Sequence, residues 1–167
     1  SSPRVEGNKL VVGTLDGIVF CFDRNTGRVI WYKNVGSSIR SSPCIGDQKV
    51  FIGTENSKLY GLDLETGEQR WLTELKGAVH SSPAYYKNRL YVSCYDNNLY
   101  AISPVNGLVI WSFDGFRSSF KASPIIGEEN IYIGGAGQNK FFYRVALSGL
   151  QKWQILTADE IPSSAAV

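Results

Sequence analysis

The sequence predicts an all-β fold, a β-propeller with four visible blades of four antiparallel strands each, and three observations carry that reading. A phrase repeats: Thr26–Trp31 reads TGRVIW and Thr66–Trp71 reads TGEQRW. The tryptophans Trp31, Trp71, Trp111 and Trp153 follow one another at intervals of 40, 40 and 42 residues. The segments between turns are apolar on both faces; in GIVFCFD, Ile18, Phe20 and Phe22 alternate with Val19 and Cys21. A sheet wet on one side would alternate apolar with polar, so these strands are expected to be covered front and back. Four strands of about five or six residues and three tight turns fill about forty positions, which accounts for the period.

The units run over about 1–40, 41–80, 81–120 and 121–160, with 161–167 opening a fifth. Ser1-Ser2-Pro3, Ser41-Ser42-Pro43 and Ser81-Ser82-Pro83 start the first three without a gap, and Ala122-Ser123-Pro124 starts the fourth. In the second unit the strands are SSPCIG, KVFIGT, KLYGLDL and QRWLTEL. Turn residues separate them at Gly46-Asp47, Glu55-Asn56-Ser57 and Glu65-Thr66-Gly67. Gly27, Gly67, Gly107 and Gly149 take the turn position that needs positive φ. Asp23 and Asp63, four residues earlier, are placed to accept hydrogen bonds from that turn. Each tryptophan lies four residues after its glycine, on the fourth strand, where an indole can cover the gap to a neighbouring blade. Burying about 200 Å² of indole contributes up to about 5 kcal/mol. A surplus first strand at Ile161–Val167 makes the chain read as part of a larger, seven- or eight-bladed propeller. Such a piece leaves two blade faces open to self-association.

Composition excludes several classes. The chain has 167 residues, 43% of them hydrophobic, and a net charge of +2 from 17 basic and 15 acidic side chains. That balance creates no field for nucleic acid, and no apolar run has the length of a membrane span. Cys21, Cys44 and Cys94 lack metal-ligand or paired spacing and read as small buried hydrophobes.

The combination of Ser-Ser-Pro, VFIGT, LYGLDLETG and tryptophan resembles the pyrroloquinoline-quinone-type propeller repeat, from Ser1 to Trp153. The family holds quinone-dependent dehydrogenases as well as cofactor-free scaffolds and sensor modules. The resemblance implies no cofactor here, because the adjacent cysteine pair carried by many of the dehydrogenases is missing and the loops are short. The alternatives are part of a quinone- and calcium-dependent dehydrogenase, or a sensor module of a signalling protein. The family implies a periplasmic or extracellular location.

A binding site belongs among positions that differ between repeats. The links from outer strand to next inner strand give Arg40, His80, Arg117, Phe120, Lys121, Asp159 and Glu160, and the second-to-third turns add Asp16, Glu55, Asn56, Asp96, Asn97, Asn98 and Gln138. These form a candidate rim for a protein partner or small ligand. No catalytic constellation is legible. Asp96-Asn97-Asn98 reads as a turn rather than a calcium loop, and Gly134–Lys140 as an expanded turn, since it lacks the Gly-Lys-Ser/Thr ending of a phosphate loop.

Overall fold

A computed structural model of the chain describes residues 1–138, 140–161 and 164. Four four-stranded antiparallel sheets follow the four repeats. Blade 1 is β1 (Arg4–Glu6), β2 (Lys9–Gly13), β3 (Ile18–Asp23) and β4 (Val29–Asn34). Blade 2 is β5 (Cys44–Gly46), β6 (Lys49–Gly53), β7 (Lys58–Asp63) and β8 (Gln69–Glu74). Blade 3 is β9 (Ala84–Tyr86), β10 (Arg89–Ser93), β11 (Asn98–Ile102) and β12 (Val109–Asp114). After the short β13 (Ser118–Ser119), blade 4 comprises β14 (Ile125–Gly127), β15 (Asn130–Gly134), β17 (Phe141–Ala146) and β18 (Gln151–Leu156). The expanded turn contributes β16 (Ala136–Gly137), which pairs with β13; Asn139 in that turn lies outside the described residues.

The first strand of each blade is shorter than the sequence reading made it. Ser41–Pro43 and Ser81–Pro83 precede their strands, and the serines explain why the motif repeats. Each second serine accepts a hydrogen bond from the preceding blade: Ser2 N–H donates to Ser42 Oγ, Ser42 N–H to Ser82 Oγ, Ser82 N–H to Ser123 Oγ, and Ser123 N–H to Ser164 Oγ, at 2.8–3.2 Å. The first serine ties the segment to its own blade, Ser41 Oγ donating to Gly53 O and Ser81 Oγ to Ser93 O. Of the expected fifth first strand, only Ile161 and Ser164 are described.

The first turn also shifts by one residue. Asp47-Gln48, Lys87-Asn88 and Glu128-Glu129 all have positive φ, the backbone of a two-residue hairpin turn. Gly46 ends β5, paired with Lys49, and has no side chain because the Tyr85 ring of the next blade lies where one would be.

Three hydrophobic clusters form three seams. Val11, Val19, Cys21 and Trp31 of blade 1 pack on Val50, Ile52, Tyr60 and Leu62 of blade 2. Equivalent clusters join blade 2 to blade 3 and blade 3 to blade 4. Among the described residues no cluster joins blade 4 back to blade 1, so the sheets form an open arc. This changes the two-sided burial expected for every strand. β7 and β11 are buried on both faces, whereas β3 and β17 alternate. Phe20 and Phe22 stack on each other at 5.6 Å, only half-buried, because their face of blade 1 has no neighbour.

The tryptophans cross the seams as the sequence predicts. Trp31, Trp71 and Trp111 donate their indole N–H to the carbonyls of Leu64, Pro104 and Leu147 in the following blade, at 2.9–3.1 Å. Their rings cover the turn glycine of that blade: a Cβ on Gly67, Gly107 or Gly149 would stand 2.6–2.9 Å from the indole. Positive φ at these glycines is therefore only half the requirement. Asp23 and Asp63 accept the turn N–H groups as expected. The three cysteines are free and buried.

Candidate functional site

The links between blades and the second-to-third turns form one rim because backbone hydrogen bonds join them. Val35 N–H donates to Gly17 O and Ile39 N–H to Thr14 O within blade 1, while Glu55 N–H of the next blade donates to Ser38 O. The same pattern recurs where Leu75, Val79 and Tyr95 donate to Ser57, Thr54 and Ala78. Immediately before the first residue of each Ser-Ser-Pro or Ala-Ser-Pro, this framework places Arg40, His80 and Lys121 at equivalent points of three successive blades.

Carboxylates tie this series down. Glu55 accepts from Arg40 Nε at 2.9 Å and lies 2.7 Å from His80 Nε2. His80 Nδ1 meets the Tyr95 hydroxyl at 2.9 Å, so Glu55, His80 and Tyr95 bridge the seam between blades 2 and 3. The hydrogen bond from Arg40 holds the Glu55 carboxyl below its ordinary pKa. Lys121 pairs with Glu160 at 3.1 Å, and Glu160 also accepts the Gly137 N–H at 3.0 Å. That backbone donor, then Lys121, lowers the Glu160 pKa. Burial raises the Tyr95 pKa.

The residues expected at this rim have unequal positions. Arg40 and Arg117 are exposed. Lys121 is half-buried, and His80 keeps only 19% of its side chain accessible. Phe120 is a correction: it is fully buried, with its ring against Phe113 and Tyr143. It occupies the place of Ile39 and Val79 in the earlier links, and all three fill the core beneath the rim. Asp96 serves its own turn and seam, accepting from the Tyr100 hydroxyl, Asn98 N–H and Lys76 N–H. Asn98 donates back to Asp96 O. Tyr95 and Phe116 were not among the expected site residues. Phe116 is 77% exposed in the link carrying Arg117. The sequence signal for Tyr95 was its departure from Leu15 and Glu55 at the same turn position.

The inner segments of all four blades also border a cavity of about 580 Å³ around the axis. Its lining is serine, proline, isoleucine, Cys44, Ala84, Tyr85 and Tyr86, with Arg4 as the charged member.

A family model described as outer membrane protein assembly factor BamB, of the pyrroloquinoline-quinone-like repeat class, matches residues 1–63 and 15–165. The chain belongs to this repeat family. No curated protein sequence matches it. Among solved structures, BamB from Moraxella catarrhalis is 21% identical, with 93% of this chain covering 47% of that one at a TM-score of 0.80. Quinohemoprotein alcohol dehydrogenase from Comamonas testosteroni is 14% identical, with 98% covering 36% at 0.85. The computationally designed Ika8 protein is 16% identical, with 98% covering 51% at 0.87. The chain thus spans about half the length of BamB and Ika8 or less of the dehydrogenase, and these likenesses show a shared fold. The axial cavity does not suit a quinone–calcium pair. Calcium takes six to eight oxygen ligands, usually including carboxylates, and no acidic side chain lines the cavity among the described residues. Nor do the described residues hold a group of three or more His, Cys, Asp or Glu able to bind a metal ion.

Proposed function

We propose that this chain is a cofactor-free, non-catalytic binding propeller that takes a protein partner on the rim carrying Arg40, His80, Lys121 and Arg117. The observation that carries the reading is the placement of Arg40, His80 and Lys121 at equivalent points, each directly before the first residue of its Ser-Ser-Pro or Ala-Ser-Pro segment. Glu55 and Glu160 hold these side chains in fixed positions, so little conformational entropy remains to be lost on binding. Exposed Phe116 beside Arg117 adds an apolar anchor, and arginine with an aromatic residue is the usual composition of an interface hot spot. The partner that fits is a protein segment combining acidic with apolar side chains. The family resemblance supports a periplasmic or extracellular setting, where burial would protect the three thiols.

The test is selection of displayed acidic–aromatic peptides against the wild-type chain, followed by the double substitution Arg40→Glu with Arg117→Glu. Affinity is expected to fall at least tenfold, with binding weakening as salt rises. Peptides indifferent to both charges would remove this rim from consideration. Dye reduction on addition of quinone and calcium would overturn the non-catalytic reading.

A further inference from the structure

The second strand of each of the first three blades opens on a basic residue, Lys9, Lys49 or Arg89. Two residues on, Val11, Phe51 and Tyr91 lie in the three seams, and strand alternation puts the basic residues on the same face. A carboxylate neutralises the first two. Lys9 pairs with Glu65 across the first seam at 2.7 Å, and Lys49 with Asp47 of its own turn at 2.7 Å.

At the third seam both carboxylate positions have changed. Lys87 stands where blade 2 has Asp47. Ser148 follows Leu147, whose carbonyl accepts an indole N–H, as Glu65 follows Leu64. Among the described residues Arg89 forms no ion pair; its guanidinium reaches the Leu147 carbonyl at 3.4 Å. It also lies beside Tyr91, whose pKa is raised by burial and lowered by the arginine.

We propose that this seam carries an oxyanion site, in which Arg89, Lys87 and Ser148 take a phosphate-type group between blades 3 and 4. The three side chains border a cleft of about 290 Å³ together with Tyr91 and Leu147. They come from β10, the first turn of blade 3 and the third turn of blade 4, so their donors approach from different sides, as a tetrahedral anion requires. Arg89 supplies a planar fork, Lys87 a point charge and Ser148 a hydroxyl. Lys87 also pairs with Glu129 of blade 4, so Lys87, Arg89 and Glu129 together keep one positive charge. A bound oxyanion balances it, as Glu65 and Asp47 balance the earlier lysines from within the chain. The cleft is larger than phosphate alone, and Tyr91 and Leu147 offer an apolar floor to whatever carries the group. The first and third turns lie at the strand ends opposite the rim of Arg40 and His80, so this site is independent of that rim.

Amide NMR of the full-length protein titrated with inorganic phosphate tests the proposal. Saturable shifts are expected at Asn88, Arg89 and Ser148, with a dissociation constant of about 1 mM or below. Ser148→Glu installs the carboxylate that already pairs with Lys9 in the first seam, so the variant keeps its fold, and its phosphate affinity is expected to fall at least about tenfold. Glu129→Gln releases Lys87 and is expected to tighten binding, an effect that damage to the fold would not produce. Vesicles containing phosphatidylglycerol, set against phosphatidylcholine alone, distinguish the carriers. Cosedimentation that Ser148→Glu abolishes assigns the phosphate to a lipid headgroup; shifts with inorganic phosphate but no vesicle binding assign it to a soluble ligand. Shifts that sodium chloride reproduces at equal ionic strength would overturn the site, as would an unchanged phosphate affinity in either variant.

Discussion

Gly27 and Gly67 hold nearly the same backbone, φ +70° and +73°, yet only Gly67 lies beneath an indole. An alanine at either position pays the left-handed penalty of about 1–2 kcal/mol. At Gly67 the new methyl also displaces Trp31, a packing strain of about 1–3 kcal/mol more. Urea unfolding is expected to show Gly67→Ala as clearly the costlier substitution. Equal losses would reduce the glycine to its φ alone. Asp63 offers a second test. Hydrogen bonds from Arg70, then from the turn N–H groups, hold its pKa at about 2. The folded value lies below the ordinary one, so the ionised carboxylate stabilises the turn above about pH 4. That contribution is lost as pH falls through about 2. Arg70→Ala should raise the Asp63 pKa, measured by carboxyl carbon NMR, while the backbone donors keep it below the ordinary value. Tyr95 and Phe120 show why the rim was read unevenly. A link residue can turn outward or into the core, and residue type does not separate Phe116 from Phe120.

At the scale of elements, the repeat spacing and the second and third turns were legible because tight backbone turns demand particular residues. The first strand was read too long for a physical reason. Ser-Ser-Pro alternates no differently from a strand end, but its hydroxyls act across blades and its backbone leaves the ladder before Cys44 and Ala84. Ser82 both accepts from Ser42 N–H and donates its own N–H to Ser123 Oγ. Ser82→Ala strips the Ser42 N–H of its acceptor at a part-buried site. Chemical denaturation is expected to show a loss of about 1–3 kcal/mol. A change within about 0.3 kcal/mol would show that water replaces the rung. β3 and β17 teach the complementary lesson: two apolar faces in a strand record what it can bury, not what is covering it.

At the scale of the molecule, stability is distributed over three seams, each with apolar side chains from two blades. The thiols report on them. Burial raises Cys44 to about 11 and Cys94 to about 12, and raises Cys21 as well. Cys44 and Cys94 belong to the cluster joining blades 2 and 3, and Cys21 to the one joining blades 1 and 2. At pH 8 the folded chain should therefore alkylate far more slowly than the unfolded one, at rates tracking seam opening. Trp71→Ala, which opens the central seam and costs about 3–5 kcal/mol, should accelerate labelling of Cys44 and Cys94 most. Labelling mass spectrometry reads both; fast modification of native wild type would contradict the buried seams.

The sequence by itself determined the blade, its forty-residue period, the turn glycines and the indole at each boundary, because these are local demands of backbone geometry repeated unit by unit. Tertiary structure alone decided which apolar faces are covered, where the serine ladder runs and how Glu55 gathers Arg40 and His80. Those depend on distances between residues far apart in the chain, which a one-dimensional pattern does not contain.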